Sequence, residues 1–396
     1  MPWKECNRMN ERLRFISKLL EGEKMAPLCR SFGISRKTGY KIWNRYLNEG
    51  SHAFTDRSSR PKRVGNKIPL QIENVIIKLK QDKLHWGAAK IREVFKRKYP
   101  DTKLPAKSTF HAVFERHGLV KHRKKRRYKA QGTSLSLVKK NNDVWSTDFK
   151  GEFQLGNKKY CYPLTITDNH SRFLISCEAL DSTKQSQELF SIFERAFLDY
   201  GLPKVIKTDN GNPFSSVQAL HGLSRLSVWW LRLGIEIERI KPGHPEQNGR
   251  HERMHLTLKK ETTKPSGENN LQQQEKFNAF IHEFNYERPH EALKMKTPSE
   301  VYERSKREYK GIQPLHYPLH DRVIRVTNCG RICIKRKKIN LSTVLAGHDV
   351  GVREIEDGIY LVSFMDYDIG YFDLEDRAIT ATENPFGSKV LPMSSE

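Results

Sequence analysis

Cysteine is scarce and scattered: six in 396 residues, at positions 6, 29, 161, 177, 329 and 333, with no Cys-x-x-Cys pair. This argues against a disulfide scaffold and a cysteine-rich zinc site, and fits a reducing cytoplasm. The nearest pair, Cys329 and Cys333, flanks Gly330 in VTNCGRICIK, which reads as a hairpin turn. Long apolar runs are missing as well. No stretch of 18 apolar residues and no secretory signal stands out, so membrane-spanning and secreted classes are set aside and a cytoplasmic protein is expected. No solenoid-type repeat is present.

Acidic residues are few in the first third. Residues 1–142 hold 36 Lys or Arg against 11 Asp or Glu, whereas residues 143–396 hold 35 of each. The entire net charge of +25 therefore lies before residue 143. A basic segment joined to a neutral one suggests an arm that grips a polyanion, attached to a part with another task. Hydrophobic residues make up 37% of the chain, enough for packed cores, and 396 residues are too many for one ordinary core.

Residues 10–48 read as three short helices. Leu13, Ile16, Leu19 and Leu20 form one apolar stripe; Met25, Leu28 and Phe32 form a second, ahead of the turn Phe32-Gly33-Ile34-Ser35. Ser35 is a candidate N-cap for a third helix carrying Arg36, Lys37, Tyr40, Lys41 and Arg45. This is the layout of a helix-turn-helix, whose second helix meets base edges in the major groove. A second such unit is expected over 68–120, with stripes at Ile72, Val75, Ile76 and Leu79, at Ile91, Val94 and Phe95, and at Phe110, Val113 and Phe114. Basic linkers follow each unit, at 56–67 and 121–142. Residues 121–129 hold seven basic side chains in nine, among them Arg123, Lys124, Lys125, Arg126 and Arg127. Such a run suits a phosphate backbone; a nuclear-import signal is the competing reading.

At Asp143 the pattern changes to strands near 144–153, 159–168 and 172–180, then a helix, a strand at 205–208, a helix ending near Leu233, a strand at 235–240, and helices near 249–263 and 271–286. A meander followed by alternating helices and strands is the order of an RNase H-like α/β core, placed at 143–305. From 312 to 380 short strands suggest a small β-barrel, with Arg331, Lys335, Arg336, Lys337 and Lys338 on one hairpin; residues 381–396 read as a disordered tail.

Three acids stand out in that core: Asp148 within the strand-like VWSTDFKG, Asp209 at a strand end in KTDNGNPF, and Glu252 near the start of a helix in HPEQNGRHERMH. Carboxylates in strand interiors are costly unless a counter-charge accompanies them. Divalent magnesium suits such oxygen ligands, and two ions about 4 Å apart can clamp both oxygens of a phosphoryl displacement. Glu246 and Glu261 are rivals for the third position, and Asp168 fits a hairpin turn better than a site. Lys259 shares a helix face with Glu252 and either meets a DNA phosphate or is solvated.

The order of these segments resembles bacterial insertion-sequence transposases related to retroviral integrases, over nearly the whole chain. The resemblance implies that Asp148, Asp209 and Glu252 are the catalytic Asp, Asp, Glu set and bind two Mg²⁺, or Mn²⁺ in their place. It also implies end nicking by water, attack of the freed 3′-hydroxyl on target DNA, and a homodimer or higher assembly on double-stranded DNA in a bacterial cell. Forty-two residues separate Asp209 from Glu252, more than in the retroviral enzymes, and the extra length falls within 215–234. Helix-turn-helix units stand where those enzymes carry a zinc-binding domain. Two other readings remain. His251-Glu252-Arg253-Met254-His255 spells the zinc-protease pattern, with His251 and His255 as ligands, although the polar Gln-Asn-Gly-Arg before it is unlike a buried zinc helix. The chain could also be a helix-turn-helix regulator without catalysis.

Overall fold

The computed structural model describes residues 7–56, 68–120, 138–183, 186–216, 219–241, 244–374 and 379–386. The chain divides into two compact units, Met1–Pro69 and Leu70–Glu396. The expected basic run at 121–129 and the residues after 386 lie outside the described residues.

In the first unit α1 (Arg8–Leu20), α2 (Met25–Ser31) and α3 (Arg36–Glu49) pack around Phe15, Ile16, Leu28, Cys29 and Phe54. Ser35 caps α3 as expected, its hydroxyl accepting from the Thr38 amide at 3.1 Å. Gly39 sits where a Cβ would come within 2.5 Å of Cys29 Sγ, so this glycine lets α3 close onto α2.

The second unit opens with α4 (Leu70–Asp82), α5 (Ala88–Lys98) and α6 (Lys107–Arg116), which bury Ile76, Ile91, Phe95, Phe110, Val113 and Phe114. Buried Glu73 ties α4 to the end of α6 through Arg116 and His117. The core sheet is built from β1 (Val144–Phe149), β2 (Phe153–Gln154), β3 (Tyr160–Asp168), β4 (Leu174–Leu180), β5 (Val205–Thr208) and β6 (Glu236–Arg239). Its order is β2-β3-β1-β5-β6, with β4 paired to β3. β1 is antiparallel to β3 but parallel to β5, and β5 is parallel to β6, giving the mixed RNase H-like sheet.

Strand alternation gives this sheet two unlike faces. On one, Trp145, Leu164, Ile166 and Ile206 pack under α7 (Ser186–Tyr200) and α8 (Arg225–Arg232). Trp229 and Trp230, in the stretch that lengthens the Asp209–Glu252 interval, are buried in this core. Over the other face lie α9 (Gly249–Thr262) and α10 (Asn270–His282), whose Met254, Leu258, Phe277 and Phe280 meet Cys161, Leu174 and Cys177.

After a single π turn (Glu283–Glu287), the chain crosses the core and enters β7 (Arg322–Arg325), β8 (Arg331–Ile334), β9 (Lys337–Asn340), β10 (Asp349–Glu356), β11 (Ile359–Phe364), β12 (Tyr367–Asp373) and β13 (Ile379–Ala381). Five strands form an antiparallel sheet, β13-β12-β11-β10-β7, while β8 and β9 pair with each other. Sheet and hairpin share one core that also takes in Leu223, Val228 and Leu231. Strand pairing does not close this part into a barrel among the described residues: β8 and β9 pair only with each other, apart from the five-stranded sheet.

Candidate active site

The register of β1 against β5 brings two of the three acids together. Ser146 stands opposite Lys207, an offset of 207 − 146 = 61, so two residues further along Asp148 is level with Asp209. In β3, Thr165 is the register partner of Asp148 and Thr167 that of Ser146. Period-2 alternation aims all these side chains at α9 rather than at the apolar core. Glu252 lies in the first turn of α9 and is exposed.

Electrostatics tie the three acids to one site. Burial, then the neighbouring Asp209 and Glu252 carboxylates, push the Asp148 carboxyl up to about 7, and burial also raises Asp209. Like charges held together in a partly desolvated site call for a cation. The oxygen donor set fits a hard divalent ion.

Beneath them runs a chain of hydrogen bonds that the sequence did not reveal. Thr165 Oγ1 is 2.7 Å from Nε2 of both His251 and His255 and 3.2 Å from the Asp148 carbonyl oxygen; Thr167 Oγ1 is 2.8 Å from His251 Nδ1. One arrangement satisfies every group: Thr165 donates to the carbonyl, both Nε2–H groups donate to Thr165, and Thr167 donates to His251 Nδ1. Burial drives both rings to the neutral form, His255 down to about 3 and His251 well below its ordinary value. His255 Nδ1 then keeps a lone pair 3.9 Å from Asp148 Oδ2.

Ligand atoms of Asp148, His251 and His255 all lie within 4.8 Å of one another, the one such group among the described residues. Asp209 and Glu252 do not belong to that close group. His251 commits both nitrogens to threonines, and the zinc-protease pattern is therefore better explained as buried packing of α9 on β3. Of the rivals for the third acid, Glu261 is paired with Arg288 at 2.7 Å, and the side chain of Glu246 lies outside the described residues. Asp168 accepts from the Asn142 and Ser171 amides and the Ser171 hydroxyl, as a turn residue does.

Lysines frame the site. Lys207, buried on β5, pairs with Glu238 at 3.2 Å and donates to the Gln247 carbonyl at 3.0 Å, which fixes the loop feeding α9. Lys150 follows Asp148 by two residues; burial and then the field of Lys259 lower its pKa, so the two lysines stand near each other. Lys259 is exposed.

Residues 138–245 and 233–298 each match the family "Integrase core domain", and residues 11–62 match "Helix-turn-helix domain". The chain is 27% identical over 209 residues to an uncharacterized protein of insertion element IS407 from Burkholderia multivorans, covering 48% of this chain and 72% of the relative. It is 25% identical over 175 residues to a protein of insertion element IS476 from Xanthomonas euvesicatoria, covering 44% of this chain and 47% of that protein. The chain carries an integrase core domain behind a helix-turn-helix domain, and it is similar to proteins of bacterial insertion elements.

The chain is 33% identical over 129 residues to the Gag-Pol polyprotein of baboon endogenous virus, 32% of this chain and 7% of the polyprotein. Among solved structures, the integrase-core chain is similar to the HTLV-2 integrase catalytic core domain in complex with magnesium (20% identity, TM-score 0.33, 41% of this chain and 98% of that one). It is also similar to the simian T-cell lymphotropic virus intasome in complex with a PP2A regulatory subunit (16% identity, TM-score 0.37, 74% and 97%).

In the helix-turn-helix unit of this integrase-core protein, Arg36, Lys37, Tyr40 and Lys41 are exposed on α3. Arg45 does not stand with them. Its guanidinium is bound to Glu49 at 3.0 Å and to the Thr55 carbonyl at 2.8 Å, bracing α3 against the segment that follows. Arg123, Lys124, Lys125, Arg126 and Arg127 lie outside the described residues. No helix among the described residues is long and apolar enough to cross a membrane.

Proposed function

We propose that the chain is a DNA transposase in which Asp148, Asp209 and Glu252 hold two Mg²⁺ ions, Mn²⁺ being able to substitute. The observation that carries this reading is the parallel register of β1 and β5, which sets Asp148 level with Asp209 on the face covered by the helix bearing Glu252. When bound, the metals would stabilise charge building on a phosphodiester and raise the acidity of the attacking hydroxyl. The remaining work falls to the chain. Lys207 anchors the loop before α9 and so orients Glu252 relative to the two aspartates. Lys150 and Lys259 attract the phosphate backbone, while neutral His251 and His255 pack α9 onto β3 without adding positive charge beside Asp148.

In the reaction, water displaces one strand at the element end and leaves a 3′-hydroxyl. That hydroxyl attacks a target phosphodiester, one P–O bond forming as another breaks, with a target 3′-hydroxyl as leaving group. Arg36, Lys37, Tyr40 and Lys41 contact the terminal inverted repeats, and the basic run from Arg123 to Arg127 follows the phosphates. The second helical unit at 68–120 binds DNA and the C-terminal strands touch DNA or a neighbouring subunit, in a homodimer or larger assembly at the bacterial nucleoid.

Purified protein incubated with end-bearing DNA and Mg²⁺ tests this. Wild type is expected to nick and join ends, and Glu252→Gln to lose about 10²-fold or more of that activity while still binding DNA. Equal strand transfer by both proteins would refute the assignment. Binding without any cleavage by wild type would favour a regulator, and zinc-dependent proteolysis lost in His255→Ala would favour a protease.

A further inference from the structure

A second polar cleft of about 430 Å³ opens on the far side of α9 from Glu252. Arg250, Arg253 and Thr257 line it at helical spacing, whereas Glu252 and Lys259, seven residues apart, belong to the opposite side of the same helix. Its other walls are the start of α5 with Lys90, the β3–β4 turn with Arg172, and the segment after the π turn with Arg288 and His290. Five formal cations therefore face two acids, Asp168 and Glu291. Asp168 already accepts from the Ser171 amide and hydroxyl of its own turn and from the Asn142 amide ahead of β1, and Glu291 is exposed.

Three further observations point to an anionic occupant. Among the described residues, Lys90, Arg172 and Arg253 make no ion pair, although burial and then Arg288 hold the Lys90 ammonium down to about 8. His290 is only 8% exposed, yet its Nε2 has no hydrogen-bond partner. Finally, Gly87 lies on the cleft as the N-cap of α5 and offers no side chain to the first amides, which leaves a helix N-terminus open towards the cleft. Half-buried Lys90 and Arg172 without ion-pair partners and an uncapped helix start are individually costly; a single bound oxyanion satisfies both, and accepts from His290 Nε2 once that ring takes up a proton.

We propose that this cleft is a phosphate-binding site, separate from the acidic centre. Its size suits one nucleotide unit, whether that phosphate belongs to a DNA backbone or to a small soluble compound. The assignment does not depend on metal binding or strand transfer.

The test uses the full chain in phosphate-free buffer without divalent metal. Inorganic pyrophosphate is titrated by calorimetry, and a short DNA duplex by fluorescence anisotropy, against wild type, Lys90→Gln, Arg172→Gln and the exposed Arg253→Ala. Thermal melts accompany each variant, and Asp148→Asn serves as the control on the acidic side. Pyrophosphate is expected to bind wild type and Asp148→Asn alike and to bind the three cleft variants about 10-fold more weakly. A parallel weakening for duplex assigns the cleft to DNA backbone, whereas unchanged duplex affinity assigns it to a free phosphate compound. Weakening for duplex alone also supports the site, with DNA as its source. If correctly folded variants bind both probes as tightly as wild type, the proposal is wrong.

Discussion

The Thr165 hydroxyl meets two buried imidazoles and the carbonyl of Asp148, so one small side chain holds α9 against β3. Replacing it by valine keeps the shape but leaves two ring N–H groups without their partner. A loss of about 1–3 kcal/mol is expected, because unsatisfied buried groups cost more than the net worth of the bonds they lose. A lowered melting temperature for Thr165→Val would show it, and an unchanged one would mean that water replaces the hydroxyl. His290 carries a pH signature. Burial first, then Lys90, Arg288 and Arg172, lower its pKa to about 3, so the folded chain binds this proton less readily than the unfolded chain does. Its stabilising contribution is full above the ordinary histidine value of about 6.5 and falls away as pH drops towards 3, at no more than about 1.4 kcal/mol per pH unit. Melting curves from pH 7 to 4 are expected to fall less steeply for His290→Gln than for wild type; parallel curves would exclude the effect.

At the scale of elements, α3 depends on Gly39. Alanine is the better helix former by up to about 1 kcal/mol, which alone would stabilise the helix. Here its Cβ would lie 2.5 Å from Cys29 Sγ and 2.9 Å from Met25 Sδ, and overpacking of that kind costs about 1–3 kcal/mol. The clash wins. Gly39→Ala is expected to melt the first unit at lower temperature and to weaken binding of element-end DNA, measured by calorimetry and anisotropy; a more stable variant would mean that the sulfur atoms yield at little cost. Periodicity made these elements legible: the buried Leu28, Ile76, Ile91 and Phe110 are all visible in the sequence on apolar stripes. What periodicity could not supply was pairing. Lys207 reads as a polar interruption of β5, and only the parallel partner Glu238 and the Gln247 carbonyl explain its burial. Arg45 reads as one more basic residue of α3 until its bond to Thr55 is seen.

For the whole molecule, charge asymmetry governs how DNA binding responds to salt. With the net +25 confined to residues 1–142, most counterion release is expected from that segment. Affinity for duplex DNA should fall by roughly 10³-fold or more between 50 and 200 mM salt if about six phosphates are contacted. Neutralising Lys124, Lys125, Arg126 and Arg127 together is expected to flatten the slope of log affinity against log salt by several units, read by anisotropy. An unchanged slope would place the phosphate contacts elsewhere.

The sequence alone determined the basic first third, the helical stripes, the order of strands and helices in the core, and the identity of three isolated acids, because composition and short-range periodicity are local properties. Tertiary structure decided which of these residues meet. Strand register sets Asp148 level with Asp209, 61 residues on, and aims Thr165 and Thr167 at His251 and His255, more than 80 residues on. The same packing gathers Lys90, Arg172, Arg250 and His290 around one cleft. Contacts between distant segments are fixed by burial and hydrogen bonding across the sheet, and no window along the chain contains that information.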